Sequence, residues 1–252
     1  MSHVQYSKAH TGDILVFEGW SVTSMFVRFG TYSQWSHSGI AVWLKTTEGR
    51  KLYCFEAARV RDQPCALRNG ETNIGCRLVS MDQVAHFYST IAVRPVNVKR
   101  NDEFYEKLKS FMRQNQGKEV PNRFARLFFI NVGLMKRKEE DQHAMLCSEL
   151  CSQWLEYCGV ISKEHVSANP HHLATPQSMT DDIRFPKDAF SSHVHTLKDN
   201  GMSNVVKYSI IAIWICSLFL YILASVEDDV NYAKGNRRPG TRWLKKMGIS
   251  AD

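Results

Sequence analysis

The stretch MLCSELCSQWLEYCGV, residues 145–160, decides how this chain is read. Apolar Leu150, Trp154 and Leu155 set against polar Glu149, Gln153 and Glu156 give an amphipathic helix over 147–158, with Gly159 as its C-terminal stop. Cys147 then stands in the first turn. There the helix dipole and the unbonded backbone N–H groups lower a thiol's pKa and face whatever the sulfur attacks. Cys147 is the candidate nucleophile.

Upstream of this helix the apolar pattern shortens and shifts towards a period of two. DILVF at 13–17, HSGIAVWL at 37–44, KLYCFEAA at 51–58, CRLVSM at 76–81 and STIAVRPV at 89–96 are each expected to be a strand. Pro95, near the end of the last, suits an edge or a strand terminus. SVTSMFVRF at 21–29 reads as a short amphipathic helix opened by Ser21, and helical patterns follow at 102–115 and 122–130. Strands gathered ahead of most of the helices indicate an α+β domain.

With 252 residues, 44% hydrophobic and 11% aromatic, the chain can bury a substantial core. The net charge of +7 divides into +4 for residues 1–204 and +3 for residues 205–252, so no nucleic-acid partner is expected. Seven cysteines, behind an N-terminus that lacks the charged start and apolar run of a secretory signal, point to a reducing compartment. Cys54, Cys65 and Cys76 recur every eleven residues, which suits neither a zinc pair nor a small disulfide framework.

Near the C-terminus, YSIIAIWICSLFLYILASV at 208–226 runs nineteen residues without a charge, with Ser209 and Ser217 among its few polar side chains. As a helix it would span roughly 30 Å, about one hydrocarbon core. The expected organisation is therefore a folded domain over 8–180, a tether over 181–204, a transmembrane helix over 205–226 and a short basic tail over 227–252. Six Lys or Arg follow the span within twenty residues and two precede it, which by the positive-inside rule would leave the tail in the cytoplasm. The absence of a signal and the needs of a thiol argue the other way, for a cytosolic domain on a C-terminal membrane anchor.

A thiol needs an imidazole or other cationic partner to ionise near neutral pH. His37, in WSHSGIAV, sits at the mouth of an apolar strand, where a ring can be held rigidly and still face a cleft. Glu56, in LYCFEAA, is a carboxylate inside an apolar strand; it either faces water or is buried and paired, and His37 is a partner that would account for both residues. His143, Cys147 and Cys151 are spaced i, i+4, i+8, a pattern able in principle to hold a metal. EEDQHAM around His143 reads as loop, and no metal is expected; Cys151 and Cys158 read as small core residues and His171 and His172 as loop residues.

Taken in order, GDILVFEG, TYSQWSHSGIAV, CFEAA, LCSEL and TPQSM resemble the permuted papain-like NlpC/P60 superfamily over about residues 11–180, in particular its bacterial YiiX and YaeF branch and a poxviral relative. In that permuted order the imidazole precedes the thiol. Gly12 and Asp13 match the opening turn, His37 the histidine of the Ser-His-hydrophobic strand, Glu56 the acid of the Glu-Ala strand, Cys147 the thiol and Pro176 a proline after the thiol helix. The resemblance implies a small antiparallel sheet or barrel packed on helices, with Cys147, His37 and Glu56 catalytic and no cofactor. Relatives often carry Gly-x-x-Tyr ahead of the thiol, where this chain has GKEVPNRF. The oxyanion would then fall to the Cys147 backbone N–H, with Tyr32 as a second candidate.

The implied activity is that of a membrane-anchored cysteine hydrolase, amidase-like or peptidase-like, cleaving an amide or ester of a peptide, amide or lipid substrate through a thioacyl intermediate. Phospholipid acyl chemistry is an alternative, since lecithin:retinol acyltransferase relatives share the permuted order and often a C-terminal membrane helix. Against it, LCSEL is not their Asn-Cys motif and Glu56 stands where they carry an imidazole. A non-catalytic, membrane-tethered binding module is the third reading. The poxviral resemblance leaves a viral source open.

Overall fold

The computed structural model describes residues 6–59, 63–68, 70–72, 74–120, 145–181 and 183–199. Five strands stand where the alternation expected them: β1 (Ile14–Glu18), β2 (His37–Thr46), β3 (Gly49–Ala58), β4 (Gly75–Ser80) and β5 (Thr90–Arg94). With β6 (His195–Asp199) they form one open antiparallel sheet in the order β4-β3-β2-β1-β5-β6. The β2–β3 hairpin closes by pairing Thr46 with Gly49 across Thr47 and Glu48. Gly49 takes φ +112°, a conformation that a side chain would disfavour.

Helices α1 (Val22–Gly30), α2 (Met81–Val84), α3 (Asp102–Asn115), α4 (Cys147–Tyr157) and α5 (Lys163–Ala168) complete a mixed α/β architecture. The period of two sorts the sheet's side chains into two cores. Ile14, Val16, Ile40, Val42, Phe55 and Leu78 pack with Phe104, Leu108 and Phe111 of α3 and Leu150, Trp154 and Leu155 of α4. Leu15, Phe17, Ala41, Cys54, Val79 and Ile91 pack on the other face with Met81 and Val84 of α2 and with Leu197 of β6. Burial on both faces explains why β1 reads as a continuous apolar run rather than an alternating one.

The Gly-Asp turn ahead of β1 seats α4. Gly12 has φ +90°, and a Cβ there would collide with the Phe104 ring. Its carbonyl accepts a 2.9 Å hydrogen bond from Trp154 Nε1, while the Trp154 ring lies 5.5 Å from both Phe104 and Phe111. Asp13 is buried and accepts from the backbone N–H of Val96 at 2.9 Å and of His10 at 2.7 Å, with Arg100 as its counter-charge. Burial raises the Asp13 carboxyl more than these partners lower it.

The domain extends beyond the expected end at residue 180. Phe185, Ala189, Phe190 and Leu197 are buried, and β6 pairs with β5, so the segment read as a tether is a part of the sheet and its packing. The compact unit runs to Asn200. The reason is apolar content spread too thinly for a periodic signal, in FPKDAF and then HTLKD. Pro95 does end its strand, but β6 covers that strand and makes it internal. The helix expected at 122–130, His143, the span at 205–226 and the basic tail lie outside the described residues. Among the described residues, no helix is long and apolar enough to cross a membrane.

Candidate active site

Strand register assembles the site from β2, β3 and β4. Gly39 lies opposite Glu56, and Glu56 opposite Arg77. His37 is two residues from Gly39 and therefore on its face. Gly39 must be bare, because a Cβ there would collide with Cys54 Sγ. His37 Nε2 lies 2.8 Å from Glu56 Oε2, so the carboxylate holds one ring nitrogen. The other Glu56 oxygen accepts from Arg77 Nε at 3.1 Å and Nη2 at 2.9 Å, and Arg77 also donates to Gln63 Oε1. Glu56 and Arg77 are almost wholly buried, at 2% and 0% exposure.

The thiol arrives from the other layer. Cys147 is the first residue of α4 and follows an N-cap, Leu146, in extended conformation; the Glu149 carboxylate accepts from the Leu146 N–H. The sulfur and the His37 ring act on each other by charge and hydrogen bonding, while Glu56 engages the ring's Nε2. Ser38, next in β2, turns its hydroxyl to the α4 side. That buried hydroxyl favours the ionised forms of Cys147 and Cys151. Tyr88 stacks parallel to the His37 ring at 5.7 Å between centroids and 1° between planes, and Phe17 leans on it at 5.5 Å.

Electrostatics single out this sulfur. Burial alone would raise the Cys147 thiol, but the charge and hydrogen bond of His37 and the hydrogen bonds of Ser38 outweigh it and hold the thiol below its ordinary value. Burial would likewise lower His37, yet the charge and hydrogen bond of Cys147, followed by those of Glu56, push it up to about 10. Glu56 falls below the usual carboxylate value, its own burial being outweighed by His37 and Arg77. Desolvation drives Cys54, Cys76, Cys151 and Cys158 the other way, Cys76 to about 12 and Cys158 to about 11. Those four are buried, whereas Cys147 as a residue is half-buried.

Cys147, His37 and Glu56, three positions far apart in the sequence, are thus brought together. Tyr32 is not part of the cluster: at φ +47° and 94% exposure its side chain projects into solvent, so no oxyanion contact from it is in place. The backbone N–H of Cys147, as the first residue of its helix, has no intrahelical acceptor. Arg77, Ser38 and Tyr88 are site residues that the sequence reading did not single out. Arg77 had a signal, a cation inside the apolar run CRLVSM, the same oddity that drew attention to Glu56.

Side-chain bonds hold the surrounding loops. Ser148 Oγ donates to Ala174 O at 2.6 Å, and Ser33 Oγ to Gln177 Oε1 at 3.1 Å, tying the TPQSM loop to both α4 and the approach to β2. Further along α4, His171 bridges Ser152 Oγ at 2.8 Å and Glu156 Oε2 at 2.9 Å, so it is a clamp on the helix rather than a free loop residue. Among the described residues, no three His, Cys, Asp or Glu side chains gather to hold a metal.

No family model matches the chain, and no curated protein does. Among solved structures it is similar to the crystal structure of the metalloprotein YiiX from Escherichia coli O157:H7, at 18% identity and a TM-score of 0.46, with 79% of this chain and 98% of that one covered.

Proposed function

We propose that this protein is a cysteine hydrolase of the permuted papain-like type, with Cys147 as nucleophile, His37 as its acid and base, and Glu56 as the group that orients His37. The observation that carries the reading is a half-buried cysteine at a helix N-terminus whose thiol is held down by an imidazole, with that ring's Nε2 2.8 Å from a buried carboxylate. In the resting pair the proton resides on His37 and the charge on sulfur. The thiolate attacks an amide or ester carbonyl, and the oxygen that gains the electron pair meets the Cys147 backbone N–H. His37 gives a ring proton to the departing amine or alcohol. It then takes one from water, which attacks the thioester and frees the sulfur.

Residues 208–226 would hold the enzyme at a membrane. A second reading, hydrolysis or transfer of lipid acyl groups, is favoured by the course of β6. Its last residue, Asp199, lies across Thr90, which pairs with Glu18, at the end of the sheet that carries Phe17 and His37. The chain therefore leaves the described domain on the His37 side.

The test is turnover by the full chain in detergent micelles of two panels, peptide amides and phospholipids, by wild type and Cys147→Ala. Loss on the order of a thousandfold or more on every accepted substrate is expected, by analogy with removal of other nucleophiles. Undiminished turnover by Cys147→Ala would exclude the assignment. Which panel is consumed separates the two readings.

A further inference from the structure

The site contains one more charge than a thiol, an imidazole and a carboxylate require. Arg77 is fully buried in β4, and a buried guanidinium is destabilising unless its partners compensate it. Two of its nitrogens converge on Glu56 Oε1, so the carboxylate is gripped by Arg77 on one oxygen and by His37 on the other. Among the described residues, four further weak acids surround the sulfur: Cys54 on β3, Cys76 on β4, Tyr88 before β5 and Cys151 on α4. Desolvation keeps each of these neutral at physiological pH. Two ion pairs form the site's centre, the Cys147 thiolate with the His37 imidazolium and the Glu56 carboxylate with the Arg77 guanidinium, and the buried Glu149 side chain lies two residues further along α4.

We propose that Arg77 is a positioning residue, the buried counter-charge that holds the Glu56 carboxylate aimed at His37 and through it supports the pair of Cys147 and His37. The inference rests on the reading of Cys147 as nucleophile. Without Arg77 the Glu56 carboxylate would lose a buried counter-charge, and a proton taken up on Cys147 or on Glu56 would offset the loss. Either outcome raises the pH needed to form the thiolate, since a protonated Glu56 no longer supports imidazolium. If Glu56 is neutralised in the same molecule, as in Glu56→Gln/Arg77→Met, the sulfur and ring again balance, and the glutamine oxygen still accepts from His37 Nε2.

The experiment is the pH dependence of Cys147 alkylation by iodoacetamide in the full chain, resolved at the peptide level by mass spectrometry, with circular dichroism to verify folding. Wild type should alkylate well below the range of an ordinary thiol. Arg77→Met should shift the profile upward by about one pH unit, which is about a tenfold loss of rate at pH 6. Arg77→Lys, which keeps the charge and loses the fork, should fall between them, and the double variant should move back towards wild type. A folded Arg77→Met with the wild-type profile overturns the role of Arg77 while leaving the nucleophile intact. Should Arg77→Met not fold, Arg77→Lys decides: a folded Arg77→Lys with the wild-type profile also overturns the role of Arg77. An ordinary thiol profile in wild type sinks the nucleophile assignment itself.

Discussion

At Cys147 the helix terminus, the imidazole and Ser38 all act on one atom, and their combined effect is a matter of sign. The thiol titrates below its ordinary value and His37 near 10, so the thiolate–imidazolium pair exists in the interval between. Activity should rise as pH climbs through the depressed thiol value, because sulfur loses its proton there. It should fall near pH 10, because the ring can no longer protonate the leaving group. The expected kcat/KM profile is a bell whose limbs belong to the pair. A single acidic limb in the ordinary thiol range would contradict the pair. Tyr88 is a second test at this scale. Its ring lies face to face with imidazolium, a contact worth about 0.5–2 kcal/mol. Tyr88→Phe should preserve alkylation of Cys147 at pH 6, and Tyr88→Leu should slow it several-fold; equal rates in all three proteins would show that the stack does not matter.

At the scale of elements, the site depends on how α4 is seated, because the sulfur rides on its first residue. The seat is Trp154, which touches Phe104 and Phe111 of α3 and donates to Gly12 O ahead of β1. Trp154→Ala should destabilise the domain by about 3–5 kcal/mol. Urea unfolding measures that loss, and a deficit under 1 kcal/mol would mean that the helix is held elsewhere. The amphipathic pattern of residues 147–158 and the arrest at Gly159 are visible in the one-dimensional sequence, and α4 follows them. The partner of Trp154 Nε1 is not, since Gly12 lies 142 residues away and offers only its carbonyl.

At the scale of the molecule, the domain is closed by its last strand. β6 covers β5, and Leu197 joins Leu15, Phe17 and Ile91 in one core, so truncation should be tolerated after residue 200 and not after residue 182. The longer fragment should be monomeric with a cooperative melt. The shorter should aggregate or melt several degrees lower, because β5 becomes an open edge. If the two melt alike, β6 is an accessory. Fractionation of the full chain with membranes, and release of the 1–200 fragment from them, would test the anchor read at 208–226. Five strands, the long α3 and the thiol helix were legible because alternation and 3.6-residue periodicity are local properties that neighbouring residues impose on one another. So were Cys147, His37 and Glu56 as candidates, each being a notable side chain for its place in its element. Strand order, the recruitment of β6 and the grip of Arg77 on Glu56 were decided only in three dimensions. A buried charge is stabilised by whatever lies within hydrogen-bonding distance, and for Glu56 those partners come from strands on either side of it, 19 residues earlier and 21 later in the chain.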